Sequence, residues 1–213
     1  MLTKPPLILT TGLKRSGSTW LYNATRLILE NLVEESVASG WIDDMGELGQ
    51  LTQGVVKLHD PNELLRDRAD FVFHSHRDLR DIAASLQRKF GIQAKLATVA
   101  AVVEDDLFWS ACADLTVSYE QIVGQPEVIV GKLYNCLGVV PTAAQIDEVV
   151  NTLAALQSPS EQDEARYDPV TLLHKQHVTH GGQGSWQGEL SEELVEEITV
   201  TFGDWLSAKG YKT

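Results

Sequence analysis

A glycine- and serine-rich turn near the N-terminus constrains the fold of this chain more than any other feature. The turn spans residues 12–19 and follows the short apolar run of residues 7–11. Residues 20–35 come next, and their apolar side chains recur at helical spacing. The order of buried strand, glycine turn and helix is typical of α/β proteins that bind anions.

The rest of the chain continues this alternation of strands and helices. Further strands are predicted at residues 54–59, 70–74 and 115–119. Helices are predicted at 80–90, 126–137, 142–156 and 191–209, and one longer helix or a helix pair at 92–113. Residues 40–53 are predicted to be a loop, and residues 157–188 lack clear periodicity, which indicates a functional loop or disorder. We find no repeat or linker and therefore expect residues 1–213 to form one domain.

The fold class predicted by this alternation is α/β, with a P-loop-like parallel β-sheet flanked by helices on both faces. Right-handed crossovers bring the carboxyl ends of such strands to one edge of the sheet. Ligands of open α/β sheets bind at this edge. Polar residues that follow the strands are therefore the candidates for a functional site.

The chemistry of the glycine turn favours an anion. Backbone N–H groups of such a turn point at one spot, at the positive end of the helix dipole. The turn comes close to the P-loop pattern GxxxxGK[ST], but Ser18 stands where the P-loop lysine belongs. Since that lysine reaches the β- and γ-phosphates, a triphosphate is a poor fit to this loop.

Composition excludes several classes of function. Seventeen basic and thirty acidic residues give a net charge of −13, and the acidic excess lies in residues 96–213. A general nucleic-acid binder is not expected, because phosphate contacts need lysine and arginine. No apolar run approaches the length of a membrane span, the N-terminal apolar run is too short for a signal peptide, and the two cysteines indicate reduced thiols in a cytoplasmic protein.

Polar residues stand at or just after the carboxyl ends of the predicted strands. Lys57 and His59 end the second predicted strand, and Tyr119 ends the fourth. Arg77 follows the third, with Ser85 eight residues later in the next helix. We find no paired carboxylates and no Cys/His spacing typical of a metal site, so no metal is expected.

In these segments the sequence resembles the sulfotransferases that use 3′-phosphoadenosine 5′-phosphosulfate (PAPS) as donor of a sulfuryl group. The matching segments are Arg15-Ser16-Gly17-Ser18-Thr19-Trp20, Lys57-Leu58-His59, Arg77 with Ser85, Tyr119-Glu120-Gln121 with the later Leu137-Gly138, and His180-Gly181 to Trp186. They occur in the family's order and cover the whole chain. Thr179 and His180 depart from the pattern, because the family usually has Arg-Lys there.

The resemblance implies a role for each matched residue. His59 is expected to act as the general base in an in-line transfer, with Lys57 and Arg15 as the catalytic positive charges. The residues expected to bind PAPS, and the product 3′-phosphoadenosine 5′-phosphate (PAP), are Arg15, Ser16, Gly17, Ser18, Thr19, Trp20, Arg77, Ser85, Tyr119, His180 and Gly181. Trp20 is expected to stack on adenine, and Arg77, Ser85 and His180 to hold the 3′-phosphate. The family needs no metal.

The acceptor and two other functions stay open at this level. The acceptor is expected to be a small molecule with a hydroxyl or amine group, with Trp41, Met45 and Tyr167 in the segments that form its walls. The alternatives are a P-loop nucleotide kinase or phosphotransferase, for which the loop lysine and a Walker-B carboxylate are missing, and a non-catalytic nucleotide-binding relative. The sequence does not indicate an oligomeric state.

Overall fold

A parallel β-sheet contains the strands predicted from the sequence. In the computed structural model, which describes residues 4–47, 50–91, 93–160, 167–175 and 182–213, the strand order of the sheet is β2-β3-β1-β4-β5. The strands are β1 (Leu7–Gly12), β2 (Ser39–Trp41), β3 (Gly54–Lys57), β4 (Phe71–His76) and β5 (Leu115–Ser118). Every neighbouring pair is parallel, as predicted.

Helices connect these strands and follow the last one. Those of the described residues are α1 (Ser18–Leu32), α2 (Glu63–Arg66), α3 (Leu79–Phe90), α4 (Leu96–Ser110), α5 (Tyr119–Gly124), α6 (Pro126–Cys136), α7 (Ala143–Ala155), α8 (Glu192–Thr201) and α9 (Gly203–Ala208), with a 3₁₀ turn at Ile42–Asp44. The predicted helix caps are confirmed: Thr142 and Ser191 accept from the N–H groups of their first helical turns, and Gly138 has a φ of +74° just after α6.

Helices pack on both faces of the sheet, which confirms the predicted fold class. Successive side chains of a strand point to opposite faces. Ile8 of β1 belongs to the cluster formed with α1, α6 and α7, whereas Leu7 and Leu9 belong to the cluster that includes Trp109 of α4. All six residues of β1 are buried, as expected for the central strand of a covered sheet.

Two local predictions were wrong, and a short helix was not predicted. Residues 40–53 were predicted to be a loop, but β2 adds an edge strand whose three residues are too few to show a period of two. The four-residue helix α2 was missed because it lies between turn-forming residues. The single helix predicted for residues 191–209 is divided into α8 and α9 at Phe202, where the next residue is Gly203 and glycine disfavours the helix interior.

The strand order places a crevice at the carboxyl end of β1. The chain passes from β1 to β2 and β3 on one side, and then crosses to β4 and β5 on the other side. The order therefore reverses between β3 and β4, and β1 lies between them. In open α/β sheets this switch point is where ligands bind. The glycine turn, the end of β3 and the end of β4 all meet there.

Candidate active site

The glycine turn after β1 is held in a conformation that few residues can adopt. Gly17 has a φ of +85° and precedes α1, and Arg15 has a φ of +75° although it is not a glycine. A Cβ atom at Gly12 would lie 2.2 Å from Ser75 Oγ, so β4 approaches the turn too closely for any side chain there. The left-handed conformation at Arg15 is uncommon and carries strain, a feature that clusters at functional sites.

Of the turn residues predicted to bind the donor, Arg15 to Trp20, Ser16 is the one that does not line the cavity. Its Oγ atom lies 2.6 Å from Leu13 O and 2.8 Å from Ser75 Oγ, and the residue is fully buried. Its backbone N–H donates to Leu13 O at 3.0 Å. The Ser16 side chain thus links the turn to β4. The sequence analysis had predicted that Ser16 would donate to the ligand.

The N-terminus of α1 opens into the crevice. Among the described residues no side chain caps this helix, and its first turn contains no acidic residue. The first N–H groups of a helix have no partner within it and carry the positive end of its dipole. Ser18, Thr19 and Trp20 belong to this turn, and all three line the same cavity.

Lys57 and His59 enter the cavity from the end of β3. His59 Nδ1 lies 2.6 Å from Gly12 O, and since a carbonyl oxygen only accepts, the Nδ1–H of His59 donates this bond. The proton-accepting nitrogen of the neutral ring is then Nε2. Burial, and secondarily the charge of Lys57, lowers the pKa of His59 well below its usual value, so the ring is neutral near pH 7.

Lys57 titrates near neutrality in this structure. Burial, with the nearby charge of Arg15, lowers the pKa of Lys57 to about 7. Its Nζ atom lies 4.8 Å from the centre of the Trp41 ring, which stabilises the cation through the ring quadrupole. The Trp41 ring also lies 5.3 Å from the ring of His59, so β2 closes this side of the cavity.

Arg77, Ser85 and Arg15 form one cluster that lines the same cavity. Arg15 Nε donates to Ser85 Oγ at 2.9 Å, and Arg77 Nη1 lies 3.4 Å from Arg15 O. The Arg77 guanidinium stacks 4.0 Å above the ring of Tyr119. Burial and the neighbouring Arg77 lower the pKa of Arg15, which remains a cation near pH 7. Arg77 is only 3% exposed, and its Nε has no hydrogen-bond partner within the described residues.

The predicted late loop reaches the same cluster. Gly182 O accepts a 2.6 Å hydrogen bond from Arg77 Nη2. His180 and Gly181, which were predicted to contact the donor, lie outside the described residues.

One cavity of about 900 Å³ contains these groups. The predicted site residues among its lining are Arg15, Gly17, Ser18, Thr19, Trp20, Lys57, His59, Arg77, Ser85 and Tyr119. Trp41 and Tyr167, predicted as acceptor walls, also line it, whereas Met45 packs in the core cluster around Leu9. The sequence analysis did not predict that Asn23, Phe90 and Leu173 line the cavity. Asn23 and Phe90 lie on helices and Leu173 lies in an irregular segment, and none of them belongs to a recognisable motif.

Residues 167–175 cross over this cavity as a strap. Asn23 Nδ2 donates to Thr171 O at 2.7 Å, Tyr22 Oη donates to Val170 O at 3.0 Å, and Lys89 Nζ donates to Lys175 O at 2.6 Å. The strap is thereby attached to both α1 and α3. It forms part of the irregular region for which the sequence predicted a functional loop or disorder.

Neither a metal site nor a membrane span is found in the described part of the chain. Across those residues, no group of three or more His, Cys, Asp or Glu side chains is placed to hold a metal ion. The helices described above include none that is long and apolar enough to cross a bilayer.

Comparison of the fold with solved structures gives clear matches. Retinol dehydratase in complex with androsterone and the inactive cofactor PAP superimposes with a TM-score of 0.69 at 15% identity, over 100% of this chain and 83% of that chain. Mouse sulfotransferase SULT7A1 in complex with PAP gives 0.66 at 14% identity, over 94% and 84% of the two chains. The complex of retinol dehydratase with retinol and PAP gives 0.62 at 13% identity, over 100% and 84%.

These matches show that the chain has the fold of a known sulfotransferase, and they confirm the predicted resemblance at the level of fold. No protein-family model matches the chain, and no curated protein matches it by sequence.

Proposed function

We propose that this protein is a PAPS-dependent sulfotransferase that transfers a sulfuryl group to a hydroxyl or amine of a small acceptor. The observation that carries the proposal is the contact between Arg15 and Ser85. It brings the glycine turn and the Arg77–Ser85 pair into one cavity, which His59 also lines. PAPS carries anionic groups at both ends of its nucleoside, and these two clusters supply a binding site for each end.

The glycine turn is suited to the 5′-phosphosulfate. The uncapped N-terminus of α1 offers backbone N–H donors, and the hydroxyls of Ser18 and Thr19 lie in the same turn. Arg15 adds a fixed positive charge beside them, because a guanidinium does not lose its proton near pH 7. Trp20 is placed in the same cavity and is proposed to stack on the adenine ring.

Arg77 is the proposed ligand of the 3′-phosphate. A guanidinium buried to this extent needs hydrogen-bond acceptors, and its Nε has none among the described residues. Ser85 lies within reach of the same cluster, because both residues contact Arg15. An anion bound here would satisfy Arg77, and it would distinguish PAPS from nucleotides without a 3′-phosphate.

His59 is the proposed general base. Its Nδ1–H is fixed on Gly12 O, so Nε2 is available to take the proton of the acceptor hydroxyl as that oxygen bonds to sulfur. The donor supplies the activated sulfuryl group, whose bond to the bridging phosphate oxygen breaks in the same step. Arg15 and Lys57 then stabilise the negative charge that develops on the leaving oxygen.

The acceptor is proposed to lie between His59 and the strap. Trp41 and Tyr167 provide aromatic walls there, and Phe90 and Leu173 add apolar surface. The solved structures of retinol dehydratase contain androsterone or retinol, which are small and largely apolar. A small-molecule acceptor with a reactive hydroxyl and an apolar body therefore fits the lining.

Thermal shift measurements test donor binding first. At a concentration of about 100 times its Kd, PAP should stabilise the fold by about 2.7 kcal/mol, or about 5–11 °C for a chain of this size. AMP, which lacks the 3′-phosphate, should give a much smaller shift. A large shift with ATP and Mg²⁺ and none with PAP would instead favour a kinase.

An acceptor screen with labelled PAPS tests the reaction itself. Label should pass to a hydroxyl-bearing compound in the presence of the wild-type protein. The His59→Asn variant is the matched control, since it keeps a donor for Gly12 O but has no base. If PAP binds and no compound in a broad acceptor panel is labelled, the protein is a nucleotide-binding relative without transferase activity.

A further inference from the structure

Asp81 of α3 holds the late loop in place through three hydrogen bonds. Its Oδ2 accepts from the N–H of Gly184 at 2.8 Å. Its Oδ1 accepts from Ser185 Oγ at 3.0 Å and from the N–H of Trp186 at 3.1 Å. Asp81 is fully buried, and its partners lie more than 100 positions further along the chain. The carboxylate therefore determines where the turn at residues 184–186 lies against α3.

The same carboxylate lies beside Arg77. Asp81 Oδ2 is 3.8 Å from Arg77 Nη2, the atom that donates to Gly182 O. The two residues are four apart on the chain. Arg77, just before α3, contacts one end of the segment 182–186, and Asp81, in the first turn of α3, contacts the other. Arg77 is thus positioned by the Asp81 carboxylate, the Tyr119 ring and the Gly182 carbonyl together.

A carboxylate next to an anion site is unfavourable on charge alone. At short range, Asp81 repels a phosphate bound to Arg77, which weakens anion binding. Its three donors and Arg77 offset that charge, and this is the usual requirement for a buried carboxylate. Its presence here indicates that ordering Arg77 and the loop outweighs the repulsion.

We infer that Asp81 is a positioning residue that aligns Arg77 with the Gly182–Trp186 segment, so that the site selects nucleotides carrying a 3′-phosphate. This inference rests on the proposed function, since it assigns the Arg77 cluster to that phosphate. It adds a residue that contacts no part of the donor and acts through Arg77 and the loop backbone.

The Asp81→Asn variant separates positioning from charge. Whichever way the asparagine amide is oriented, its NH₂ group faces a backbone N–H that donates to the carboxylate in the wild-type protein. One of these hydrogen bonds is therefore lost in either orientation. If Asp81 positions Arg77, PAP binding should weaken and the ratio of PAP to AMP affinity should fall about tenfold, the effect of losing one or two hydrogen bonds. If only the charge mattered, removing it would strengthen PAP binding and raise this ratio.

Asp78→Asn is the matched control. Asp78 is a buried aspartate at the start of the same helix, where it accepts from the N–H of Arg80 and pairs with its guanidinium. This variant should lower Tm and leave the ratio of PAP to AMP affinity unchanged. Amide hydrogen exchange provides a second readout: Gly184 and Trp186 should exchange faster in Asp81→Asn than in Asp78→Asn.

Titration calorimetry with PAP and AMP distinguishes a failure of the proposed function from a failure of this inference. A wild-type protein that binds the two nucleotides equally would refute the proposed function and this inference together. A wild-type preference for PAP that Asp81→Asn retains or increases would refute the inference alone. If Asp81→Asn does not fold, Ser185→Ala removes one of the three bonds and should lower the ratio about threefold; an unchanged ratio there would also refute it.

Discussion

Arg15 Nε donates a hydrogen bond to Ser85 Oγ at 2.9 Å, and this bond joins residues that lie 70 positions apart. Arg15 belongs to the glycine turn after β1, and Ser85 belongs to α3, which follows β4. Because β1 and β4 are adjacent in the sheet, their carboxyl ends present both residues to the same crevice. The proposed sites for the two anionic ends of the donor are therefore in direct contact.

Loss of the Ser85 hydroxyl should weaken the binding of PAP more than that of AMP. Ser85→Ala removes the acceptor of the Arg15 hydrogen bond and a proposed donor to the 3′-phosphate. A loss of about 1–1.5 kcal/mol, or about tenfold in Kd, is expected for PAP. Thr25→Val is the control, because Thr25 is buried on α1 and, within the described residues, its hydroxyl donates to Leu21 O of the same helix. Equal weakening of both nucleotides in Ser85→Ala would contradict the assignment.

Arg77→Met should remove most of the selectivity for PAP over adenosine 5′-phosphosulfate. PAP lacks the sulfate of PAPS, whereas adenosine 5′-phosphosulfate lacks its 3′-phosphate. Removing the buried guanidinium should cost PAP about 2–3 kcal/mol, because a charge-assisted hydrogen bond is lost. Competition binding measures both constants. The same loss for both nucleotides would place the 3′-phosphate elsewhere.

The affinity for PAP should fall as pH rises above about 7. Lys57 has a pKa of about 7 in the free protein, and a bound anion favours its charged form. PAP binding then takes up a proton above that pH, so Kd increases with pH until the raised pKa of the complex is reached. Of the charged and titratable neighbours, Arg15 keeps its proton because a guanidinium is not deprotonated in proteins, and the pKa of His59 is lowered well below its usual value. Calorimetry in buffers of different ionisation enthalpy measures the uptake.

Lys57→Met is the control for this pH dependence. The variant should bind PAP more weakly at pH 7, and its Kd should be nearly constant from pH 7 to 9. The free wild-type protein should show the opposite trend in stability. Since unfolded Lys57 binds a proton up to about pH 10 and the folded form does not, unfolding free energy should rise with pH in this window. A Kd that depends on pH equally in both proteins would exclude Lys57 as the titrating group.

His59→Asn should abolish most of the activity and leave donor binding intact. Asparagine keeps an N–H for Gly12 O but cannot accept the proton of the acceptor hydroxyl. Removal of a general base reduces turnover by about 10²–10⁴-fold. Single-turnover kinetics with bound PAPS measures the chemical step separately from binding. A parallel loss of PAP affinity and turnover would indicate that His59 supports the turn and does not act as a base.

The sequence predicted those parts of the site that depend on local geometry. The glycine turn, the ends of β3 and β4 and the Arg77–Ser85 spacing each lie within one strand and its following helix, so the pattern itself defines them. Ser16 shows the limit, because a serine that donates to a ligand and one that braces a turn look alike in sequence. Asp81 was missed because its partners lie more than 100 residues away. Only the packing of the late loop on α3 reveals what it contacts.

A second buried network connects the sheet to the C-terminal helix. Asp106 of α4 is fully buried, and its carboxylate lies 2.9 Å from His74 Nε2 on β4. It also accepts from Trp205 Nε1 and from Lys209 Nζ, each at 2.9 Å from Oδ2. The His74 ring is thereby fixed with its proton on Nε2. Burial opposes ionisation of Asp106, but the bonds from His74 and Lys209 lower its pKa to about 2.

Replacing Asp106 by asparagine should therefore destabilise the fold and alter its acid unfolding. Breaking a buried pair leaves Lys209 without its partner and should cost about 3–5 kcal/mol in a urea unfolding experiment. The folded carboxyl has a pKa below its unfolded value, so its contribution is complete above about pH 4 and disappears as pH falls towards 2. Wild-type stability should decrease across this range more steeply than that of Asp106→Asn.

The neighbouring Asp105→Asn variant is the control. Burial and the charge of Asp60 raise the pKa of Asp105, so removing this carboxylate should leave the unfolding free energy unchanged or slightly higher. Equal stability of the two variants at pH 7 would mean that the network contributes nothing to holding α9 against the sheet.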